Sequence, residues 1–359
     1  MTASIALFHS TLSQLAILES LDATISFADA LTDVLEKGDS LTLSFRLPVV
    51  LRAQEACFKT RISQALEGFS GDIVFTWDGD AERTASSKEP IENVSNIIAV
   101  ASGKGGVGKS TTAVNLALAL KALGASVGIL DADIYGPSQS LMLGVTDKKP
   151  EMLQGKRIKA IPTAYGITMI GMGNLVEGDA PMAWRGPMAA GALQQLLRGT
   201  EWPKLDYLMI DMPPGTGDIQ LSLAQTVAVD GSVIVTTPQD IALLDAKKGI
   251  ELFRKMNIDV LGVVENMSTH VCSQCGHKEA IFGEEGGLKL AEKYRAPLLG
   301  RLPLKLAIRQ QADSGKPSVA MDVNSEESQE YLAIAQKMAV QLWFNRKQQS
   351  SLVISESDD

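Results

Sequence analysis

Residues 103–110 constrain the fold of this chain more than any other segment, because they join a short apolar run to a helical pattern. They read Gly-Lys-Gly-Gly-Val-Gly-Lys-Ser and satisfy the spacing G-x-x-x-x-G-K-[ST]. Residues 97–100 before them predict a buried strand, and residues 110–123 predict a helix that ends at Gly124. A glycine-rich turn between a strand and a helix is the context in which this motif binds phosphate.

The residue types of this loop suit the phosphates of a nucleotide. Glycines let backbone N–H groups curl around an anion, and the helix N-terminus adds partial positive charge. Lys109 supplies a full charge to the terminal phosphates and is expected to be exposed in the empty loop, whereas the Ser110 hydroxyl can ligate Mg²⁺. Lys104 is a second loop lysine, which either reaches a phosphate of its own or a partner subunit or remains solvated. The alternative is a turn without a ligand.

Aspartates follow two further apolar runs. Asp131 and Asp133 come after residues 127–130, and Asp211 comes directly after residues 207–210. Ligands of open α/β sheets bind beyond the carboxyl ends of the strands, so we expect these carboxylates to face the phosphates, with Asp211 holding Mg²⁺. Helix capping is the alternative role for each of them.

A loop rich in Pro and Gly follows Asp211. Residues 212–218 read Met-Pro-Pro-Gly-Thr-Gly-Asp, which predicts a shaped loop rather than a helix or a strand. Beside a terminal phosphate, such a loop can order or be released on hydrolysis, and a rigid connector is the alternative.

The fold class follows from strands whose apolar residues are continuous and do not alternate with polar ones. Continuous apolar runs recur along the chain, with segments between them that are long enough for crossover helices, such as residues 241–256; the runs are 97–100, 127–130, 207–210, 233–235 and 260–264. Strands of this kind belong to parallel sheets that are covered on both faces. The sequence therefore predicts an α/β core with a mainly parallel sheet and helices on both faces.

A small α+β unit precedes this core. The patterns predict helices over residues 11–21 and 51–66 and strands over residues 40–47 and 72–77, and Cys57 is expected to be a buried small hydrophobe. The predicted organisation is an α+β domain (1–77), a linker (78–95), a nucleotide-binding domain (96–345) and a flexible tail (346–359).

Composition narrows the function classes. A chain of 359 residues allows about two domains, and a net charge of −9 argues against a general nucleic-acid binder. The N-terminus lacks the charged start of a secretory signal, and no apolar run approaches the roughly 18 residues that span a bilayer. With only three cysteines and no disulfide framework, we expect a cytoplasmic protein without stable membrane association.

Two of the cysteines form a C-x-x-C motif, Cys272 and Cys275, flanked by His270 and His277. Two thiolates at this spacing can bind one metal ion or part of an iron–sulfur cluster, but a tetrahedral zinc or a four-iron cluster needs four ligands. The two histidines can complete a zinc site, or a second copy of the chain can bring its own pair. A redox disulfide and free cysteines are the remaining alternatives.

Taken together, the motifs resemble a known family. Residues 103–112 resemble the deviant Walker A motif of the MinD/ParA and nitrogenase-iron-protein superfamily. Four further segments resemble the Mrp/ApbC family of iron–sulfur cluster carrier ATPases: 131–138, 211–218, 266–268 and 272–276, the last followed by 281–283. The resemblance extends over residues 97–319 and implies a P-loop NTPase core.

The resemblance implies a homodimer that binds and hydrolyses ATP, carries a bridging [4Fe–4S] cluster and passes it to apo iron–sulfur proteins. It gives Lys104 a role across the dimer interface, while Lys109 binds the phosphates and Ser110 and Asp211 hold Mg²⁺. It implies that Asp133, with Asp131 beside it, orients the attacking water and that the side chain of Asn266 contacts the edge of adenine. It also implies that Cys272 and Cys275 bind the cluster. The implied nucleotide-binding residues are Gly103, Lys104, Gly105, Gly106, Val107, Gly108, Lys109, Ser110, Thr111 and Asn266.

Two other functions remain open at this point. A MinD/ParA-like positioning ATPase needs a basic amphipathic helix or a DNA-binding surface, but residues 325–344 are acidic at their start and look like a core-docked helix. A zinc-stabilised ATPase without a carrier role is the second alternative.

The N-terminal unit resembles a MIP18-type domain. The resemblance is degenerate because no cysteine stands beside Pro48.

Overall fold

The computed structural model describes residues 3–19, 21, 25–37, 40–66, 69, 71–78, 90–175, 186–217, 220–221 and 227–356. Most of the predicted linker, residues 79–89, lies outside them, as do Asp218 and residues 357–359. The chain forms two compact units, one of residues 1–81 with 336–359 and one of residues 82–335. Residues 336–345, assigned above to the nucleotide-binding domain, therefore group with the first unit.

The first unit contains a three-stranded sheet. Its elements are α1 (Ala3–Ser13), α2 (Phe27–Ala30), β1 (Leu31–Lys37), β2 (Ser40–Pro48), a 3-10 helix (Val49–Gln54), α3 (Glu55–Ala65) and β3 (Asp72–Asp78). The central strand β2 is antiparallel to β1 and parallel to β3. The ring of Phe27 packs edge-on against Phe45 and Phe58, with centroids 6.1 and 5.2 Å apart. The predicted strands at 40–47 and 72–77 are confirmed.

Two predictions for this unit are wrong. The helix expected over residues 11–21 ends at Ser13, because the Ile17 amide donates to the Ile25 carbonyl at 3.0 Å and the chain folds back on itself. Cys57 is exposed rather than buried, because α3 directs its neighbour Phe58 and Ile62 into the core. One residue along a helix rotates the side chain by about 100°, which places Cys57 on the solvent side.

The second unit is built on an eight-stranded sheet. Its strands are β4 (Val94–Ala101), β5 (Val127–Asp131), β7 (Ile161–Pro162), β8 (Thr168–Gly171), β10 (Leu205–Asp211), β11 (Gly231–Thr236), β12 (Val260–Glu265) and β15 (Leu298–Arg301). They lie in the order β15-β12-β11-β4-β10-β5-β8-β7, and only the edge pair β7–β8 is antiparallel. All other neighbouring pairs are parallel and strands β5, β10 and β11 are almost entirely buried, which confirms the predicted mainly parallel sheet.

Helices cover this sheet. They are α4 (Lys109–Ala122), α5 (Gln139–Met142), α6 (Gly186–Gly199), α7 (Asp240–Lys255), α8 (Gly286–Lys293), α9 (Leu306–Asp313), α10 (Ser318–Met321) and the start of α11 (Glu326–Glu356). The crossovers β4–α4–β5 and β11–α7–β12 run in opposite directions along the sheet. Right-handed crossovers therefore place α4 and α7 on opposite faces.

Several short elements complete the fold. A small ladder joins β6 (Ile158–Lys159) to β9 (Thr200–Glu201), and a hairpin joins β13 (His270–Val271) to β14 (Lys278–Glu279). The last helix, α11, continues to Glu356, into the segment for which the sequence predicts a tail. Within the described ranges, no helix has the length and apolar character needed to cross a membrane.

The topology brings three strand ends together. Strand β10 lies between β4 and β5, and its register places Asp211 beside Val100 on one side and Asp131 on the other. The chain leaves β4 toward one side of the sheet and β11 toward the other, so a crevice opens at the carboxyl ends of these strands.

Candidate functional site

The loop between β4 and α4 has a shape that requires glycine. Gly106 and Gly108 both have φ +82°, and Gly108 caps α4 in the left-handed conformation. A Cβ at Gly108 would lie 2.1 Å from Nδ2 of Asn266, and one at Gly103 would lie 2.1 Å from the carbonyl carbon of Asp245. The backbone therefore approaches its neighbours more closely than any larger residue permits.

Lys109 lies beneath this loop in a buried ion pair. Its Nζ is 2.5 Å from Oδ1 of Asp211 and 3.1 Å from the Ser110 hydroxyl oxygen. The side chain of Lys109 is 6% exposed and that of Asp211 is 0% exposed. The expectation of an exposed lysine is therefore wrong, because β10 brings the Asp211 carboxylate directly under the loop. Removal of either partner would leave the other charge buried without its counterion.

Gln139, which the sequence analysis missed, joins the same cluster. Its side-chain Nε2 donates to Oδ2 of Asp211 at 2.8 Å and to the Ser110 carbonyl at 3.0 Å. The residue is fully buried at the start of α5. The one signal in the sequence is its position directly after the family-like segment 131–138.

Asp131 organises the backbone of the segment that leads to Gln139. Its two carboxylate oxygens accept N–H groups of Asp133 at 3.1 Å, Ser138 at 2.8 Å and Gln139 at 2.9 Å. Burial is the main factor that raises the pKa of Asp131 to about 7, and the nearby charge of Asp211 acts in the same direction. Asp131 thus shapes the loop that carries the other acidic residue.

Asp133 lies in that loop, and Oδ1 of its side chain accepts the Gly136 N–H at 3.2 Å. Burial raises the pKa of Asp133, the charge of Lys109 lowers it, and the charge of Asp211 raises it again. The pKa of Asp133 therefore depends on the charges of Lys109 and Asp211, as expected for a carboxylate at this edge of the sheet.

Asn266 follows β12 and contacts the loop from the other side. Its Nδ2 donates to the Val107 carbonyl at 2.8 Å, and its backbone N–H donates to the Thr236 carbonyl at 2.7 Å. The side chain thus fixes the loop in the described structure, and its predicted contact with adenine stays a prediction.

The remaining loop residues lie nearer the surface. Lys104 is exposed, and its carbonyl accepts the Ser102 hydroxyl at 2.9 Å. Gly105 and Gly106 are exposed as well, whereas Thr111 directs its hydroxyl to the Met142 sulfur at 3.9 Å. The loop that follows Asp211 is tied to the first residue after β4, since the Gly215 N–H donates to the Ser102 carbonyl at 3.0 Å.

The C-x-x-C pair occupies the turn of the β13–β14 hairpin. The Cys272 N–H donates to the His277 carbonyl, and the Gly276 N–H donates to the Cys272 carbonyl, both at 2.9 Å. Cys272 is partly exposed and Cys275 is exposed. Backbone N–H groups of Gln274 and Cys275 lower the pKa of Cys272 and thereby favour its thiolate, the form that binds metals.

The turn supplies two sulfur ligands and no complete metal site. Nowhere in the described part of the chain do three or more His, Cys, Asp or Glu side chains converge on one point. His270 and His277 therefore do not complete a zinc site with Cys272 and Cys275 in this arrangement. A tetrahedral metal or a four-iron cluster at this turn requires ligands beyond those that the described residues bring to it.

The comparison with known protein families decides the family. Residues 93–339 match the model of the ParA family, described as NUBPL iron-transfer P-loop NTPase. The chain belongs to this family. The resemblance drawn from the motifs is thereby confirmed.

Similar proteins extend over most of the chain. The iron–sulfur cluster carrier protein of Haemophilus influenzae is 48% identical, over 91% of this chain and 88% of its own. The carrier protein of Escherichia coli K12 is 49% identical, over 88% and 86%. The iron–sulfur cluster transfer protein NUBPL of mouse is 50% identical, over 72% and 82%.

Solved structures confirm the predicted P-loop NTPase fold. The nucleotide-binding protein of Archaeoglobus fulgidus in complex with ADP is 33% identical and has a TM-score of 0.56, over 66% of this chain and 91% of its own. The cell division ATPase MinD of Pyrococcus furiosus has a TM-score of 0.50 at 23% identity, over 68% and 98%, a likeness of fold alone.

Proposed function

We propose that this protein is an ATP-hydrolysing carrier that binds an iron–sulfur cluster between two copies of the chain and delivers it to apo iron–sulfur proteins. The observation that carries the proposal is the solvent-accessible pair Cys272 and Cys275, whose turn favours the thiolate and which meets no further ligand among the described residues. Relatives about half identical to this chain are named iron–sulfur cluster carrier or transfer proteins, which supports the same cargo.

The nucleotide occupies the loop at residues 103–111 in this proposal. Lys109 contacts the terminal phosphates, either in place of Asp211 or in addition to it. Ser110 and Asp211 supply the oxygen ligands that Mg²⁺ prefers. Bound Mg²⁺ neutralises charge that develops on the phosphates. Asp133 orients the attacking water, and Asp131 holds the loop on which Asp133 lies.

Two copies of the chain are needed for a four-iron cluster, because each contributes two thiolates. An apolar surface beside the nucleotide loop supports such pairing: Ile241 and Leu244 of α7 are 66% and 62% exposed, and the main chain of Asp245 touches Gly103. Exposed Lys104 lies on the same loop, where a lysine can reach the partner's phosphates. The adenine contact of Asn266 belongs to this proposal as well.

The alternatives have less support. The MinD likeness is one of fold, whereas the three relatives described above, which are named as cluster carrier or transfer proteins, match at 48 to 50% identity. A zinc site completed by His270 and His277 finds no convergent ligand group in the described residues. A cytoplasmic location, the domain bounds and the absence of nucleic-acid or stable membrane binding stay predictions.

Anaerobic reconstitution with iron and sulfide tests the cargo. The wild type is compared with Cys272→Ala/Cys275→Ala, and Cys57→Ala serves as a matched cysteine control because Cys57 is exposed in the other unit. We expect about four iron and four sulfide per dimer in the wild type and the control, and none in the double variant. One zinc per chain without sulfide, or an unchanged cluster load in the double variant, would refute the carrier proposal.

A further inference from the structure

Gln139 is fully buried, and only the nitrogen of its side-chain amide has hydrogen-bond partners. Its Nε2 donates to Oδ2 of Asp211 and to the Ser110 carbonyl, at 2.8 and 3.0 Å. Both partners are pure acceptors, so the nitrogen must face them, and the amide orientation is fixed by chemistry. Oε1 then points away from both and has no hydrogen-bond partner, although it is buried.

A buried acceptor without a donor is costly, since it has lost its water and gained nothing in return. The Ser138 hydroxyl next to it is also buried without a partner. Both atoms belong to the segment whose N–H groups bind Asp131, at the strand ends where Asp211 lies. Two neighbouring residues of the segment that leads from Asp131 into α5 thus each carry a buried polar atom without a partner.

The contacts of Gln139 connect the two residues that supply the proposed Mg²⁺ ligands. Asp211 has one oxygen on Lys109 and the other on Gln139, so its carboxylate is fixed at both ends. Ser110 is held through its carbonyl, and its hydroxyl oxygen accepts a hydrogen bond from Lys109 Nζ at 3.1 Å. A residue that only filled space at this position would not need two hydrogen bonds to these two partners.

We propose that Gln139 is a positioning residue for Mg²⁺: its amide N–H₂ fixes Asp211 and Ser110, and its Oε1 accepts a hydrogen bond from the hydration water that Mg²⁺ retains. Mg²⁺ gives up its water reluctantly and usually keeps several molecules, which makes such an acceptor useful. The inference rests on the proposed nucleotide site and deepens it. It assigns a role in metal binding to a residue outside the family-like motifs.

The test measures binding of the fluorescent nucleotide mant-ADP, in EDTA and across a Mg²⁺ titration, for the wild type and Gln139→Met. Methionine keeps the length of the side chain and removes both amide functions. We expect unchanged mant-ADP affinity in EDTA and a Mg²⁺ concentration for half-maximal effect that rises about tenfold, as for the loss of a hydrogen bond to a charged group. Gln311→Met, at a partly buried glutamine that accepts the Ser318 hydroxyl outside the site, is the control and should match the wild type.

A second variant covers the case in which Gln139→Met does not fold. Gln139→Asn keeps an amide at the buried position but shortens the side chain by one methylene, which withdraws the N–H₂ group from Asp211 and the Ser110 carbonyl, so the half-maximal Mg²⁺ concentration should again rise above that of the wild type. An equal loss of affinity with and without Mg²⁺, or Mg²⁺ titrations identical to the wild type, would overturn the inference alone. A wild type that binds no mant-ADP in either condition would overturn the proposed nucleotide function and this inference with it.

Discussion

At the scale of single residues, the ion pair between Lys109 and Asp211 gives the nucleotide loop a second role, in stability. Lys109→Ala removes the counterion of a carboxylate that is 0% exposed. We expect the free energy of unfolding of the ligand-free protein to fall by about 3–5 kcal/mol, the usual cost of breaking a buried pair. Urea denaturation without nucleotide measures this, and ATP hydrolysis should be lost in the same variant.

A double variant separates charge from packing. In Lys109→Met/Asp211→Asn neither charge remains, so most of the lost stability should return while hydrolysis stays absent. If Lys109→Ala unfolds at the same urea concentration as the wild type, the pair does not exist in solution, and the lysine is free as the sequence led us to expect.

The backbone of Gly108 lies close to the side chain of Asn266, and this contact gives a second prediction. Gly108→Ala places a Cβ 2.1 Å from Asn266 Nδ2 at a φ of +82°, so Asn266 must give up its bond to the Val107 carbonyl. We expect the affinity for ADP to fall at least about tenfold, or about 1.4 kcal/mol, measured by calorimetry.

Gly124→Ala is the matched control for this strain. Gly124 has φ +98°, but nothing lies within 4 Å of its Cβ position. The control should lose about 1–2 kcal/mol of stability and bind ADP normally. In an Asn266→Ala background, the effect of Gly108→Ala on affinity should shrink; full additivity would mean that the two residues do not touch.

These residue contacts could not be predicted from the sequence, although the residues themselves could. The motif spacing indicates Lys109 and Asp211 as site residues, and the structure brings their side chains together. Their pairing depends on β10 lying between β4 and β5, and the order of strands in a sheet leaves no periodic signal in the chain. The same order brings Gln139 to Asp211, which explains why a polar residue in an otherwise unremarkable helix start escaped notice.

At the scale of elements, the predictability of a strand depended on its burial. Strands β5, β10 and β11 are buried on both faces, so their sequences are continuous apolar runs. Strand β1 mixes Thr, Asp, Glu and Lys with its apolar residues, none of its residues 31–35 is buried, and the sequence analysis did not find it. Apolar periodicity reports burial, so a strand without buried residues gives little of this signal.

The cysteine hairpin is attached to the rest of its unit by an ion-pair network. Lys278 of β14 lies 3.0 Å from Glu326 at the start of α11, and Lys305 lies 2.7 Å from the same carboxylate. Hydrogen bonds from Lys305 first and Lys278 second lower the pKa of Glu326 to about 2. The network is half exposed, so its energy is screened by water and salt.

A pH prediction follows from the direction of that shift. Because the folded pKa lies below the unfolded value near 4.5, Glu326 stabilises the protein above pH 4.5, and the contribution is lost as the pH falls toward 2. The difference in unfolding free energy between the wild type and Glu326→Gln should be at most about 1 kcal/mol at pH 7 and vanish near pH 2. A difference that stays constant over this range would mean that the charge of Glu326 contributes nothing.

At the scale of the whole molecule, the proposed function requires two chains, and the surface of α7 is where we expect them to meet. Ile241 and Leu244 are three residues apart on one helix, so they share a face, and both are more than half exposed. The same helix touches the nucleotide loop at Gly103, so a chain that covers this face would lie next to Lys104 and the nucleotide. Nucleotide binding and pairing would then depend on each other.

Ile241→Glu/Leu244→Glu places two negative charges on this face and should prevent pairing, because like charges of two copies would be brought together without solvent. Light scattering at increasing protein concentration, with Mg²⁺ and ATP, should report a dimer for the wild type and a monomer for the variant. Met152→Glu, which changes a side chain that is 67% exposed elsewhere on the unit, should leave the dimer intact.

The Ile241→Glu/Leu244→Glu variant should also lose its reconstituted cluster although it keeps both cysteines, since a monomer offers two thiolates where four are needed. A variant that dimerises and loads iron as the wild type does would place the pairing surface elsewhere.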